Sequence, residues 1–129
     1  LFIPVTARGT SESFWVVTGT TRDGEISGDV ALAAQSTATV VILMGLNRIK
    51  EIMGKFLASG KSETPVAIIQ NGTLPDQKSV MGNVSTIADL AAAAGIGSPA
   101  IIVVGEVVTL SQQLEEITTQ AVTQFRYGT

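Results

Sequence analysis

Three apolar runs of this 129-residue chain stop on residues suited to holding a ligand rather than to attacking one. One run leads into Met44-Gly45-Leu46, another into Gln70-Asn71-Gly72-Thr73, and a third into Gly105-Glu106. A glycine where a strand ends lets a flat ligand approach the backbone, and the same glycine also serves a tight strand-to-helix turn. Met44 offers a soft, polarisable thioether to an aromatic or sulfur-bearing ligand, or else fills a core. Arg8 is one of only eight cations and is able to grip a carboxylate through two hydrogen bonds, the alternative being a solvated loop arginine.

The residue types that are missing narrow the chemistry further. Histidine and cysteine are both absent, which excludes from this chain a Ser-His-Asp triad, a thiol nucleophile, a thiolate–imidazole zinc site and disulfide stapling. No metal is expected. Neither GxGxxG nor GxxxxGK[ST] occurs, so a dinucleotide-binding or P-loop site is not expected either. The net charge of −3 argues against binding duplex nucleic acid, which needs a basic face. Apolar stretches stay under about ten residues, against about 20 for a membrane-spanning helix, so no membrane partner is expected. No signal-peptide pattern precedes the first run and cysteine is unused, which together point to a cytoplasmic location. The chain opens at Leu1 and not at Met, so it is expected to be a piece of something longer.

The elements that must position these residues alternate in type. Phe14–Val17, Thr39–Met44, Val66–Ile69 and Ile101–Val104 are short, β-branched and bounded by Gly or Pro, the pattern of strands buried on both faces. Gln77–Val84 alternates and is less apolar, as befits an edge or antiparallel strand. Between Asn47 and Ser59 the residues Ile49, Ile52, Met53, Phe56 and Leu57 recur at helical spacing, with Asn47 as N-cap and Gly60 as terminator. Ser85–Ala94 predicts a second helix with Ile87, Leu90, Ala91 and Ala94 inward and Gly95 ending it. A shorter helix is predicted at Asp29–Gln35, and a last one from Leu110, Leu114 and Ile117. The alternation predicts a single α/β domain with a mixed, largely parallel sheet and helices on both faces. Ligands of such sheets bind beyond the carboxyl ends of the strands.

Taken in order, several segments resemble the C-terminal half of the tetrapyrrole methylases, most closely those that act on uroporphyrinogen-III. The segments are Pro4-Val5-Thr6-Ala7-Arg8, Val17-Thr18-Gly19, Met44-Gly45-Leu46, Thr64-Pro65-Val66-Ala67, Asn71-Gly72-Thr73 with Gln77 following, and Ser98-Pro99-Ala100 leading to Val104-Gly105-Glu106-Val107-Val108. They span roughly residues 2–112; the last residues have no counterpart. The resemblance departs at Ala7 and Thr20, where the family often has His, and at Leu43, where an aromatic commonly precedes Met-Gly.

The resemblance implies a two-domain enzyme, usually a homodimer, whose cleft holds S-adenosylmethionine and a tetrapyrrole. It implies cofactor contacts at Met44 and Gly72, with backbone near Ala67, Pro99 and Ala100 beside the adenosyl part, and a substrate-facing segment around Thr6 and Arg8. The implied reaction is C-methylation of uroporphyrinogen-III to precorrin-2, on the way to sirohaem and cobalamin. A methylase of a later precorrin and a non-enzymatic assembly or sensing module are the alternatives. The N-terminal domain, with its own share of the site, lies outside this chain, so the chain alone is expected to have no turnover. An electron-rich pyrrole carbon attacking a sulfonium methyl needs alignment and exclusion of water rather than a nucleophilic side chain, which suits a chain without His or Cys. A carboxylate-rich substrate meeting a net charge of −3 needs a locally positive cleft, for which Arg8 and the missing domain are the expected sources.

Overall fold

A computed structural model describes residues 13–70 and 77–109. In chain order the elements are β1 (Phe14–Thr18), α1 (Gly28–Gln35), β2 (Thr39–Leu43), a single 3-10 turn (Leu46–Arg48), α2 (Ile49–Ala58), β3 (Pro65–Gln70), β4 (Lys78–Asn83), α3 (Ile87–Ala94) and β5 (Ala100–Val104). The five strands form one mixed sheet in the order β1-β2-β5-β3-β4.

The mixed α/β class agrees with the sequence, but parallel pairing is confined to β1 and β2; β2–β5, β5–β3 and β3–β4 are all antiparallel. The reason lies in one connection. Only seven residues separate Gln70 from Lys78, too few for a crossover to a parallel neighbour, so β4 returns beside β3 as a hairpin partner. After that reversal, α3 carries the chain across β3, and β5 enters between β2 and β3 pointing against both. β1, β2 and β3 therefore share one direction and β4 and β5 the other. β4 is an edge strand, as its alternating pattern implies.

Strand alternation sorts the side chains onto two faces. Val17, Val40, Ile42, Val66, Ile68, Ile102 and Val104 share the main core with Val30, Ala33 and Ala34 of α1, Ile52, Met53 and Phe56 of α2, and Ile87 and Ala91 of α3. All three helices thus cover the same face. On the other face Ala67 and Val103 pack with Val108, from the helical residues 107–109 that follow β5. The helix expected from Leu110, Leu114 and Ile117 lies outside the described residues. β1 departs from the expectation of burial on both faces: it is an edge strand, and Phe14 and Val16 are about half exposed.

Helix ends follow local chemistry. Ser27 Oγ accepts from Asp29 N at 3.3 Å to start α1. α2 begins later than the periodicity suggests, because Leu46–Arg48 forms a 3-10 turn and no side chain caps the helix. α3 also starts late, at Ile87: Asn83 Oδ1 accepts from Thr86 N (3.1 Å), Ser85 Oγ (2.7 Å) and Thr86 Oγ1 (3.0 Å), so an Asx turn occupies the residues predicted as its first turn. Gly60 and Gly95 end their helices as expected. Leu90 and Ala94, both read as inward, are exposed, and so is Leu57 at the end of the α2 periodicity.

Candidate functional site

Strand direction decides which ends meet. The carboxyl ends of β2 and β3 lie beside the amino end of β5, in the pairings Leu43↔Ile101 and Gln70↔Ala100. At that edge a cleft of about 690 Å³ opens, within the range of small-molecule sites. Leu43, Met44, Gly45, Leu46, Asn47 and Arg48 form one wall, Ser98, Pro99, Ala100 and Ile101 the other, and Ile69, Thr20 and Gly24 complete it. Met44, Pro99 and Ala100, far apart in sequence, come together here. Ala67 does not: it pairs with Val103 and Met81 in the middle of β3 and is fully buried. Gly72, Thr6 and Arg8 lie outside the described residues.

Gly105-Glu106 is a correction. Because β5 runs against β2 and β3, its carboxyl end sits at the opposite edge of the sheet, where Gly105 N donates to the Pro65 carbonyl oxygen (2.9 Å) and Gly105 lies against Thr39. Gly45, in turn, borders the cleft with its backbone, yet a side chain there would run inward onto Ile52 Cδ1 (2.8 Å) and Ile42 Cγ2 (2.9 Å). Close packing at a tight strand-to-helix turn is what requires glycine at this position.

Met44 is about 70% exposed and has φ +56°, a left-handed conformation unusual for a side chain of its size. Its thioether is therefore a surface of the cleft and not part of the core. The opposite wall is fixed from below: Gln70 Oε1 accepts from Gly97 N at 2.7 Å, tying the end of β3 to the loop that contains the cis peptide bond Ser98–Pro99.

Arg48 was not singled out by its sequence context, although an Arg-x-x-Glu spacing at a helix start was there to be read. Its Nε and Nη2 donate to both oxygens of Glu51 at 2.7 and 2.6 Å, and Nη1 donates to the carbonyl oxygen of Gly24. The hydrogen bonds from Arg48 hold the Glu51 carboxyl below the ordinary carboxylate range, while Glu51 raises the guanidinium. Among the described residues no cluster of His, Cys, Asp or Glu is placed to hold a metal ion, and no helix is long and apolar enough to cross a membrane.

Both the sequence and the fold have counterparts among known proteins. The chain is 38% identical over 113 residues to a siroheme synthase of Methylobacillus flagellatus and 41% identical over 113 residues to siroheme synthase 1 of Klebsiella pneumoniae, in each case with 87% of this chain and 24% of the relative aligned. Among solved structures, uroporphyrin-III C-methyl transferase of Thermus thermophilus, complexed with S-adenyl homocysteine, superposes with a TM-score of 0.73 at 27% identity over 84% of this chain and 48% of that one. A cobalt precorrin-4 methyltransferase shares the fold, with a TM-score of 0.73 at 23% identity over 81% of this chain and 45% of that one. The chain thus spans about a quarter of the length of the curated relatives and about half of the solved ones. Residues 1–88 match the family of Tetrapyrrole (Corrin/Porphyrin) Methylases, a match that covers more than half of the sequence: the chain belongs to the tetrapyrrole methylases.

Proposed function

We propose that this chain supplies part of the cofactor and substrate cleft of an S-adenosylmethionine-dependent tetrapyrrole C-methyltransferase, with uroporphyrinogen-III as substrate and precorrin-2 as product, in the cytoplasmic branch leading to sirohaem and cobalamin. The observation that carries the reading is the cleft that Met44 lines together with Pro99 and Ala100. Its volume, apolar walls and exposed thioether fit a ligand with a flat heterocycle and a sulfur-bearing chain. The likeness to a uroporphyrin-III C-methyl transferase complexed with S-adenyl homocysteine supports the same ligand class and, with its higher identity than the cobalt precorrin-4 enzyme, supports uroporphyrinogen-III as substrate.

When bound, S-adenosylmethionine supplies an electrophilic sulfonium methyl group. What this chain contributes is placement. Met44 and the Ser98–Ile101 segment would hold the donor, and Leu43, Ile69 and Ile101 would give it apolar surroundings, an arrangement that favours alignment of a nucleophilic ring carbon with the methyl group. Gly72 is assigned a contact to the same ligand, and Thr6 and Arg8 to the tetrapyrrole. The rest of the cleft is assigned to an N-terminal domain, the working form to a homodimer, and the chain alone is assigned no turnover.

Titration of S-adenosylhomocysteine into the whole protein by calorimetry tests the reading. Binding is expected, and Met44→Ala should weaken it by about 1–2 kcal/mol, the scale of one packed, polarisable contact. Absence of binding to the intact protein would overturn the function; binding that is indifferent to Met44→Ala would remove Met44 from the site.

A further inference from the structure

Met44 holds a left-handed backbone conformation that is disfavoured for a residue carrying a side chain, so something must impose it. The torsions φ and ψ of Met44 are the rotations of its two flanking peptide planes, and both planes are pinned from outside the strand. The plane before it presents the Leu43 carbonyl oxygen to Gly19 N, at 2.6 Å. The plane after it presents the Met44 carbonyl oxygen to the hydroxyl of Thr20, at 2.8 Å. Consecutive residues at the end of β1 thus grip consecutive carbonyls at the end of β2. Gly19 does so through its backbone N–H, which every residue but proline carries; Thr20 does so through its side chain.

Thr20 is itself held. It bridges to Ile26 across a short loop, in which Thr21 N donates to the Glu25 carbonyl oxygen at 2.7 Å, and Arg48 secures the tip of that loop through the Gly24 carbonyl oxygen. The hydroxyl therefore acts from a braced position and not from a free side chain.

We propose that Thr20 is a positioning residue for the cleft: its hydroxyl, donating to the Met44 carbonyl oxygen, keeps Met44 in the left-handed conformation that presents its thioether to the methyl donor. The inference rests on the reading of the cleft as the donor site, but its geometry is a property of the chain itself. Without the hydroxyl, the Met44–Gly45 peptide plane loses its anchor and Met44 relaxes towards ordinary backbone torsions, carrying the side chain away from the wall.

The test uses the whole protein with Thr20→Val, which keeps the shape and removes the donor, and Thr20→Ser, which keeps the donor. Thr20→Val should weaken S-adenosylhomocysteine binding by roughly five- to tenfold, the size of one net hydrogen bond, and Thr20→Ser should restore most of it. In a Met44→Ala background, Thr20→Val should change affinity less than about twofold, since two residues acting through one side chain do not add. The serine rescue shows that the hydroxyl is what matters, and a purely structural role would not produce the coupling to Met44. Independently of any ligand, the methyl resonance of Met44 in a methionine-labelled sample should move in Thr20→Val and return in Thr20→Ser. If the parent does not bind S-adenosylhomocysteine but the Met44 resonance follows Thr20, the functional reading fails and the positioning stands. If the resonance is indifferent to Thr20→Val, or the two substitutions cost affinity additively, the positioning role is overturned.

Discussion

Gly19 and Gly45 meet where β1 and β2 leave the sheet: a methyl group on Gly19 would lie 2.8 Å from the Gly45 Cα, with Ile42 Cγ2 at 3.0 Å and Ile52 Cδ1 at 3.1 Å. The backbone of one strand end thus lies directly against that of the other, and the fully buried Ile42 and Ile52 close the space beneath.

Gly19→Ala should therefore be strongly destabilising. Neither the Gly45 backbone nor the two buried isoleucines can yield without moving β2 or α2, and overpacking of this kind costs about 1–3 kcal/mol. Chemical denaturation compared with the parent should show a lower midpoint at unchanged slope. An unchanged midpoint would mean that the two strand ends are not in contact.

The Arg48–Glu51 pair gives a pH prediction with a definite sign. Glu51 has a folded-state pKa below its unfolded one, chiefly through the hydrogen bonds from Arg48. Its contribution to stability is present above the ordinary carboxylate range and is lost as the pH falls through the lowered folded value. Both side chains are open to solvent, so the effect on global stability should be small and screened by salt. The readout is the carboxyl carbon of Glu51 followed by NMR against pH: Arg48→Gln should return its titration upward to the ordinary range. The same substitution frees Gly24, and amide exchange in residues 21–25 should quicken.

Gln70 links the end of β3 to the loop ahead of β5 through the Gly97 amide. Gln70→Leu keeps the bulk but leaves that partly buried amide without its acceptor, at a cost of about 1–3 kcal/mol. Hydrogen exchange at Gly97 should rise, and the affinity for S-adenosylhomocysteine should fall because the Ser98–Ile101 wall loses its tie. Unaltered exchange at Gly97 would show that the bond does not hold the loop.

Periodicity and turn chemistry made the elements legible. Ile52, Met53 and Phe56 had to share a helix face, Gly60 and Gly95 had to end helices, and the β-branched runs around Val40, Val66 and Ile102 had to be strands, because each of these patterns is written within a few residues. Met44 was recognisable as a ligand-facing candidate through the Met-Gly-Leu sequence in its family context. Direction and adjacency are different in kind. That β5 enters between β2 and β3 and runs against both depends on the earlier pairing of β3 with β4 and on pairings between distant segments. It moves Gly105-Glu106 to the far edge of the sheet and brings Pro99 and Ala100 to Met44. The grip of Thr20 on Met44 spans 24 positions and has no local signature, since a threonine after Thr-Gly reads as any loop hydroxyl. Short-range torsional and hydrophobic preferences selected the elements, whereas the long-range packing of strand ends determined which of their residues share a cleft.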